Sequence, residues 1–214
     1  MHSPDPKTPI EETLRALTKL QELGKVKEIG VSNVNIAELM AYNATGKIKF
    51  VQNRFSLINR SLNEELEKYM LKNNIKLVPY QVIDRGQLTG KIFENIGSMR
   101  KGDLRIGRSD WLPEKLDVIS NWSKTHLSPI AKSLGITLGQ LSIAWALHQV
   151  FMGFVIVGTT SEQYLKINLA ANNIKLDQQT LDEIEDTYLI LDKEIQSKFG
   201  VTIREFRGLN EKYY

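Results

Sequence analysis

The chain has 214 residues, 42% of them hydrophobic and 25% charged, and no cysteine. That composition fits a globular chain with a sizeable core. It excludes a disordered, collagen-like or low-complexity protein, disulfides, and cysteine-based catalysis or metal sites.

Charge and hydropathy narrow the classes further. With 28 basic and 25 acidic residues the net charge is +3 and the signs are interspersed, so no nucleic-acid partner is expected. No run reaches the roughly 18–20 apolar residues of a membrane span, so no membrane partner is expected either. The N-terminus carries no apolar leader, and the expected compartment is the cytoplasm.

The elements follow in chain order. Thr8, Pro9 and Glu11 read as an N-cap, a first helical residue and a capping-box partner. Ile10, Leu14, Leu17 and Leu20 then recur at helical spacing, with Gly24 as a stop. Residues 26–31 are short and β-branched, a strand that ends in Ser32-Asn33. Asn35 with Glu38 opens a helix through Ile36, Leu39 and Met40, stopped at Gly46, and residues 50–55 read as the second strand.

Ser61 with Glu64 predicts another capped helix, carrying Leu62, Leu66, Tyr69 and Met70, and residues 76–80 form the third apolar run. Residues 89–113, rich in Gly, Arg, Asp and Ser, predict a long loop of the kind that is functional or mobile. Thr137 with Gln140 opens a helix with Leu138, Leu141, Ala144, Trp145 and Leu147. Residues 154–158 read as a fourth strand, followed by a helix from about Ser161 to Asn172. Asp177 opens a long amphipathic C-terminal helix over about 177–198.

Strands alternating with helices predict βαβ units and a parallel sheet. No G-x-G-x-x-G or P-loop pattern is present, which argues against the nucleotide-binding doubly wound folds. A (β/α)8 TIM barrel fits better, but it needs eight strands and typically about 250 residues. The α/β chain therefore reads as half of such a barrel, one partial domain over residues 1–214 with about four parallel strands and surrounding helices.

In such barrels the chemistry sits where strands end. The polar residues there are Ser32 and Asn33, Gln52 and Asn53, Tyr80 and Gln81, and Gly158-Thr159-Thr160. Singly, each has a plain reading: a helix cap, a packing aromatic, a helix start. Together they would suit a flat heteroaromatic ligand carrying a carboxamide and phosphates, the phosphates at a helix N-terminus.

Four stretches carry a family resemblance. Gly24-Lys25-Val26-Lys27-Glu28-Ile29-Gly30-Val31-Ser32-Asn33 is similar to the G-K-[VI]-[KR]-x-[IL]-G-V-S-N signature of the aldo-keto reductases. Val51-Gln52-Asn53-Arg54-Phe55-Ser56-Leu57 resembles their VQNRYSL strand. The segment from Pro79 to Lys91 resembles their PYSPLARGLLTGK, and the run from Val155 to Asn168 their C-terminal cofactor segment. The chain departs from the pattern at Gln81-Val82-Ile83-Asp84, Val157, Tyr164 and Ile167.

The resemblance implies an NADP(H)-dependent oxidoreductase that reduces aldehydes or ketones by hydride transfer. It implies that Ser32, Asn33 and Gln52 hold the nicotinamide carboxamide and that Tyr80 stacks on the ring. Gly158, Thr159 and Thr160 would line the 2′-phosphate site, and Asn168 would contact the adenine. No metal is implied.

His2-Ser3-Pro4-Asp5-Pro6 resembles the family's LHxPDP segment, whose histidine belongs to a catalytic tetrad of Asp, Tyr, Lys and His. Without that match, a histidine second in a chain would read as frayed. His126 and His148 match no catalytic motif and read as a loop residue and a helix end. The other three tetrad residues find no match, so an N-terminally truncated member is expected. A small-molecule carbonyl is the implied substrate, and a second copy or a complementing chain would close the barrel. The alternatives are a non-catalytic nucleotide-binding or regulatory module, and a gene remnant.

Overall fold

Three short parallel strands, β1 (Ile29–Ser32), β2 (Ile48–Gln52) and β3 (Lys76–Leu77), lie side by side in the order β1-β2-β3. The computed structural model describes residues 1–60, 62–90 and 101–207. Val31 faces Val51 and Ser32 faces Gln52 across the first pair, while Phe50 faces Lys76 and Val51 faces Leu77 across the second. The register places the C-terminal ends of all three strands at one edge of the sheet.

The connections are helical: α1 (Ile10–Glu22) precedes β1, α2 (Ile36–Tyr42) joins β1 to β2, and α3 (Glu64–Lys72) joins β2 to β3. Leu14, Leu39, Tyr42, Leu66 and Met70 from these helices share one core with Ile29, Val31, Ile48, Val51 and Leu77. Period-two alternation turns Gly30 and Phe50 to the other face, where they are only partly covered and Phe50 meets Phe154 edge-on at 5.9 Å. Each fully buried aliphatic side chain of this core is worth about 1.5–3 kcal/mol of transfer free energy.

The described regular structure that follows β3 is helical, with short 3-10 segments at Asp84–Thr89, Ser109–Trp111 and Ala171–Asn173. It comprises α4 (Pro113–Trp122), a π-helical turn at Ser123–Leu127, α5 (Ser128–Ser133), α6 (Leu138–Leu147), α7 (Glu162–Ala170), α8 (Gln178–Phe199) and α9 (Ile203–Phe206). α6 is buried from Leu138 through Ala146 except at Gln140. Its Trp145 stacks on Phe55 at 5.4 Å, and Trp122 of α4 donates Nε1–H to the Thr187 carbonyl of α8 at 2.7 Å. Among the described residues no single helix is long and apolar enough to cross a membrane.

The capping boxes expected at Asn35/Glu38 and Thr137/Gln140 both form, and Asp177 caps α8 through Thr180 N–H. The one expected at Thr8 does not. Its hydroxyl is given to Asp5 at 2.7 Å, and α1 starts behind Pro9 with no side-chain cap. Ser61 and residues 91–100 of the expected loop lie outside the described residues; α3 is capped by Asn63, whose side chain accepts from Leu66 N–H.

The expected fourth strand at 154–158 is a further correction. The run from Phe151 to Ile156 lies beside β3 through Leu77 N–H to Phe151 O (2.9 Å), Gly153 N–H to Leu77 O (2.8 Å) and Ile156 N–H to Pro79 O (3.1 Å). It makes one parallel bridge, Leu77 to Met152, and no ladder. Pro79 has no N–H to donate, so the alternate rung on this side is missing.

Candidate functional site

The ends of β1, β2 and β3 bring together most of the residues singled out by type. Ser32 is buried, and its hydroxyl donates to the Gln52 carbonyl at 2.6 Å. Asn33 follows with φ 58, the left-handed conformation that Asn tolerates better than most residues. Its N–H also donates to Gln52 O, at 3.1 Å. Asn53 fixes the next residue with two bonds, accepting from Val34 N–H at 3.2 Å and donating to Val34 O at 2.8 Å.

With its backbone set, the Asn33 side chain points to two partners. Its Oδ1 accepts from the Tyr80 hydroxyl at 2.7 Å, and its Nδ2 donates to the His2 carbonyl at 3.0 Å. Tyr80 is held in turn by backbone bonds to Asn53 O and from Phe55 N–H, both at 3.3 Å. His2 thus meets this cluster through its main chain, while the residue itself is exposed. Ser32, Asn33 and Tyr80 form one small polar cluster, hydroxyl and amide groups beside an aromatic ring, which Gln52 joins through its main-chain carbonyl.

Gly158, Thr159 and Thr160 form a second, exposed group on the run that Ile156 ties to Pro79. Thr159 Oγ1 accepts from Ser161 N–H at 3.2 Å, just ahead of α7. A Cβ added at Gly158 would meet nothing within 4 Å, so the backbone there is open to approach. Asn168 is half-buried on α7. Of the other histidines, His126 sits in the π-helical turn and His148 caps the C-terminus of α6.

A cluster of buried charges behind Tyr80 has no counterpart in the sequence reading. Arg54 Nη2 donates to Asp84 Oδ1 at 2.6 Å and to Asp110 Oδ2 at 3.0 Å. Arg207 Nη2 donates to Asp84 Oδ2 at 2.6 Å and its Nη1 to Gln87 Oε1 at 2.9 Å. Arg85 and Arg108 each reach Asp110 at 3.0 Å from the partly exposed side. With its amide oxygen turned to accept, Asn59 faces Arg54 Nε at 2.5 Å.

Four guanidiniums face two carboxylates here. Burial alone would raise the Asp110 carboxyl, but Arg54, Arg207, Arg108 and Arg85 together hold it below the usual carboxylate range. Burial and the like charges of Arg54 and Arg108 lower the basicity of Arg85. Removing one member of such a buried pair typically costs about 3–5 kcal/mol, since the other is left uncompensated. The one cue in the sequence was Arg54 within an apolar strand; nothing there joined it to residues 84, 110 and 207.

The turn that carries Asp84 is strained: Gln81, Asp84 and Arg85 have φ of 59, 47 and 53. Left-handed residues of this kind persist only where surrounding contacts over-determine them. Gln81 Oε1, beside Tyr80, is buried and finds no hydrogen-bond donor among the described residues.

Comparison with known proteins identifies the family of the chain. The model of the Aldo/keto reductase family matches residues 1–188. The chain belongs to this family. It is similar to a probable aldo-keto reductase of Glycine max, 35% identical over 186 residues that cover 86% of this chain and 52% of that protein. It is also similar to the NADH-specific methylglyoxal reductase of Escherichia coli K12, 29% identical over 171 residues, 79% of this chain and 51% of that one.

Among solved structures, a glycerol dehydrogenase from Gluconobacter oxydans superposes with a TM-score of 0.79 at 22% identity, over 94% of this chain and 58% of its own. That likeness speaks for the fold of this aldo-keto reductase chain. The chain spans about half the length of the curated relatives it matches.

Proposed function

We propose that this chain is the nucleotide-binding, C-terminal half of a (β/α)8 aldo-keto reductase barrel, one domain that serves NADP(H)-dependent reduction of aldehydes or ketones in the cytoplasm. The observation that carries the reading is the Tyr80–Asn33 bond of 2.7 Å at the shared end of three parallel strands. It sets an aromatic face beside amide and hydroxyl groups, the pairing that a flat carboxamide-bearing ring requires.

The residues present fit a nicotinamide nucleotide. The donorless Gln81 Oε1 offers an acceptor to an amide, and the open backbone at Gly158 leaves room for a phosphate beside the Thr159 and Thr160 hydroxyls. In this reading Ser32, Asn33 and Gln52 orient the carboxamide and Tyr80 holds the ring flat. Gly158, Thr159 and Thr160 take the 2′-phosphate, Asn168 the adenine, and His2 borders the carbonyl substrate. When bound, the nucleotide supplies the hydride. No tetrad Asp, Tyr or Lys motif is found in these residues, so we assign proton delivery to a complementing half that closes the barrel; a second copy of these residues could cover the open sheet but would bring no such motif. No turnover is expected from these residues alone.

Titration with NADPH and with NADH, followed by nucleotide and tryptophan fluorescence, tests the reading. Saturable micromolar binding is expected, weakened roughly tenfold by Tyr80→Ala, the scale of one aromatic contact. Failure to bind either nucleotide refutes it.

A further inference from the structure

We infer that Arg207, more than a hundred residues away in the chain, is a positioning residue for Tyr80, locking the strained turn on which the aromatic shelf rests. The functional side of this inference rests on the nucleotide reading above.

The turn begins one residue after Tyr80. Asp84 N–H donates to Gln81 O at 2.7 Å, and Gly86 N–H to Ile83 O at 2.9 Å, with Gln81, Asp84 and Arg85 all left-handed. Backbone of that kind relaxes unless it is tethered. Two guanidiniums tether it. Arg54 holds Asp84 Oδ1 from residues 53–55, the run whose backbone bonds Tyr80 on both sides. Arg207 holds Asp84 Oδ2 with one nitrogen and Gln87 Oε1 with another, spanning the turn, and Gln87 passes the restraint on to the Asp110 carbonyl at 3.2 Å.

Arg207 is itself well placed for this. Its N–H donates to Ile203 O at 3.0 Å at the end of α9, whose Thr202/Glu205 capping box is complete. Ile203 N–H donates to Asp192 of α8 at 3.0 Å, and Phe206 packs on Phe199 at 5.0 Å. The guanidinium is fully buried, and its planar fork aims two separate nitrogens at two acceptors in a fixed geometry that a lysine's single nitrogen does not reproduce. Charge neutralisation alone would not need the second prong onto Gln87.

The test uses the full chain labelled with 3-fluorotyrosine and followed by 19F NMR, the Tyr80 resonance being assigned with Tyr80→Phe. In Arg207→Gln the Tyr80 signal should shift or broaden while those of Tyr42 and Tyr69 stay fixed. NADPH affinity should fall roughly tenfold or more, the scale at which ångström-sized misplacements are felt. Gln87→Leu removes one prong and keeps the Arg207–Asp84 pair; it should move the same signal by less, and it decides the matter should Arg207→Gln not fold. An unmoved Tyr80 signal, or equal movement of all three tyrosines, overturns the inference. A selective Tyr80 shift in a wild-type background that binds no nucleotide would leave the positioning standing and remove the nucleotide reading. NADPH binding with an unmoved Tyr80 signal would do the reverse.

Discussion

Replacing Gly30 by alanine measures how closely β1 and β2 approach. The added Cβ would lie 2.8 Å from the Phe50 carbonyl oxygen and 3.1 Å from Phe50 Cβ. The oxygen belongs to the middle strand, paired on both sides, and cannot rotate away as a side-chain tip could. Overpacking of a dense interior costs about 1–3 kcal/mol. A glycine-to-alanine change in a strand recovers about 0.5–1 kcal/mol from the restricted unfolded chain. Since the clashing atom is backbone, the upper part of the first range applies, and a net loss of about 1–2 kcal/mol is expected.

For a domain of this size that loss lowers the melting temperature by about 2–8 °C. Circular-dichroism thermal and urea melts read it directly. Gly158→Ala is the internal control, because its Cβ would meet nothing within 4 Å; it should stay within about 0.5 kcal/mol of wild type. A Gly30→Ala protein that melts with the wild type, or a Gly158→Ala protein that melts as early, would refute the argument from close approach.

Three further outcomes are expected. Asp110 is held below its ordinary value of 3.8, so its charge stabilises the fold above that pH, and the contribution is lost as pH falls through the lower folded value. Urea midpoints of the wild type should therefore hold at pH 7 and 5 and drop below about pH 4, while Asp110→Asn shows a flatter acid limb and a loss of about 3–5 kcal/mol at pH 7. His148→Ala removes the bonds to Ala144 O (2.8 Å) and from Leu176 N–H (3.1 Å) that pin the end of α6 to the approach of α8, a loss of about 1–3 kcal/mol in the same melts. Trp122→Phe leaves the buried Thr187 carbonyl without its indole donor; a urea midpoint shift worth about 1–3 kcal/mol is expected, and an unchanged midpoint would show that another donor replaces it.

Local signals in the sequence were reliable where the chemistry is local. The boxes at Asn35/Glu38 and Thr137/Gln140 need only four consecutive residues, and they formed. At Thr8 the same pattern failed because Asp5, three residues upstream, competes for the hydroxyl. The first three strands were readable from short apolar runs, the first two shifted by a few residues and the third cut short at Leu77, and their polar ends met as a patch because parallel register puts them at one edge. The run at 154–158 has strand-like residues, yet strand formation depends on a neighbour's free N–H groups, and Pro79 withholds one. Of the ionic cluster only Arg54, inside an apolar strand, gave a cue. Its members stand at positions 54, 84, 85, 108, 110 and 207, and no periodicity connects them.

That spacing has a consequence for the order in which the molecule is made. β1, α2, β2, α3 and β3 pair with their sequence neighbours, so they can condense while synthesis is still under way, and Arg54 can meet Asp84 early across 30 residues. Arg207 reaches the same carboxylate across 123 residues and emerges well after the sheet. Until then Asp84 has Arg54 and the Ser56 hydroxyl at 3.5 Å, and the turn after Tyr80 keeps its left-handed residues without the Arg207 tether. A nascent chain should therefore acquire its sheet first and its finished strand-end patch last, with protection of residues 81–88 in pulsed hydrogen exchange lagging that of residues 29–52 until the C-terminal helices have docked.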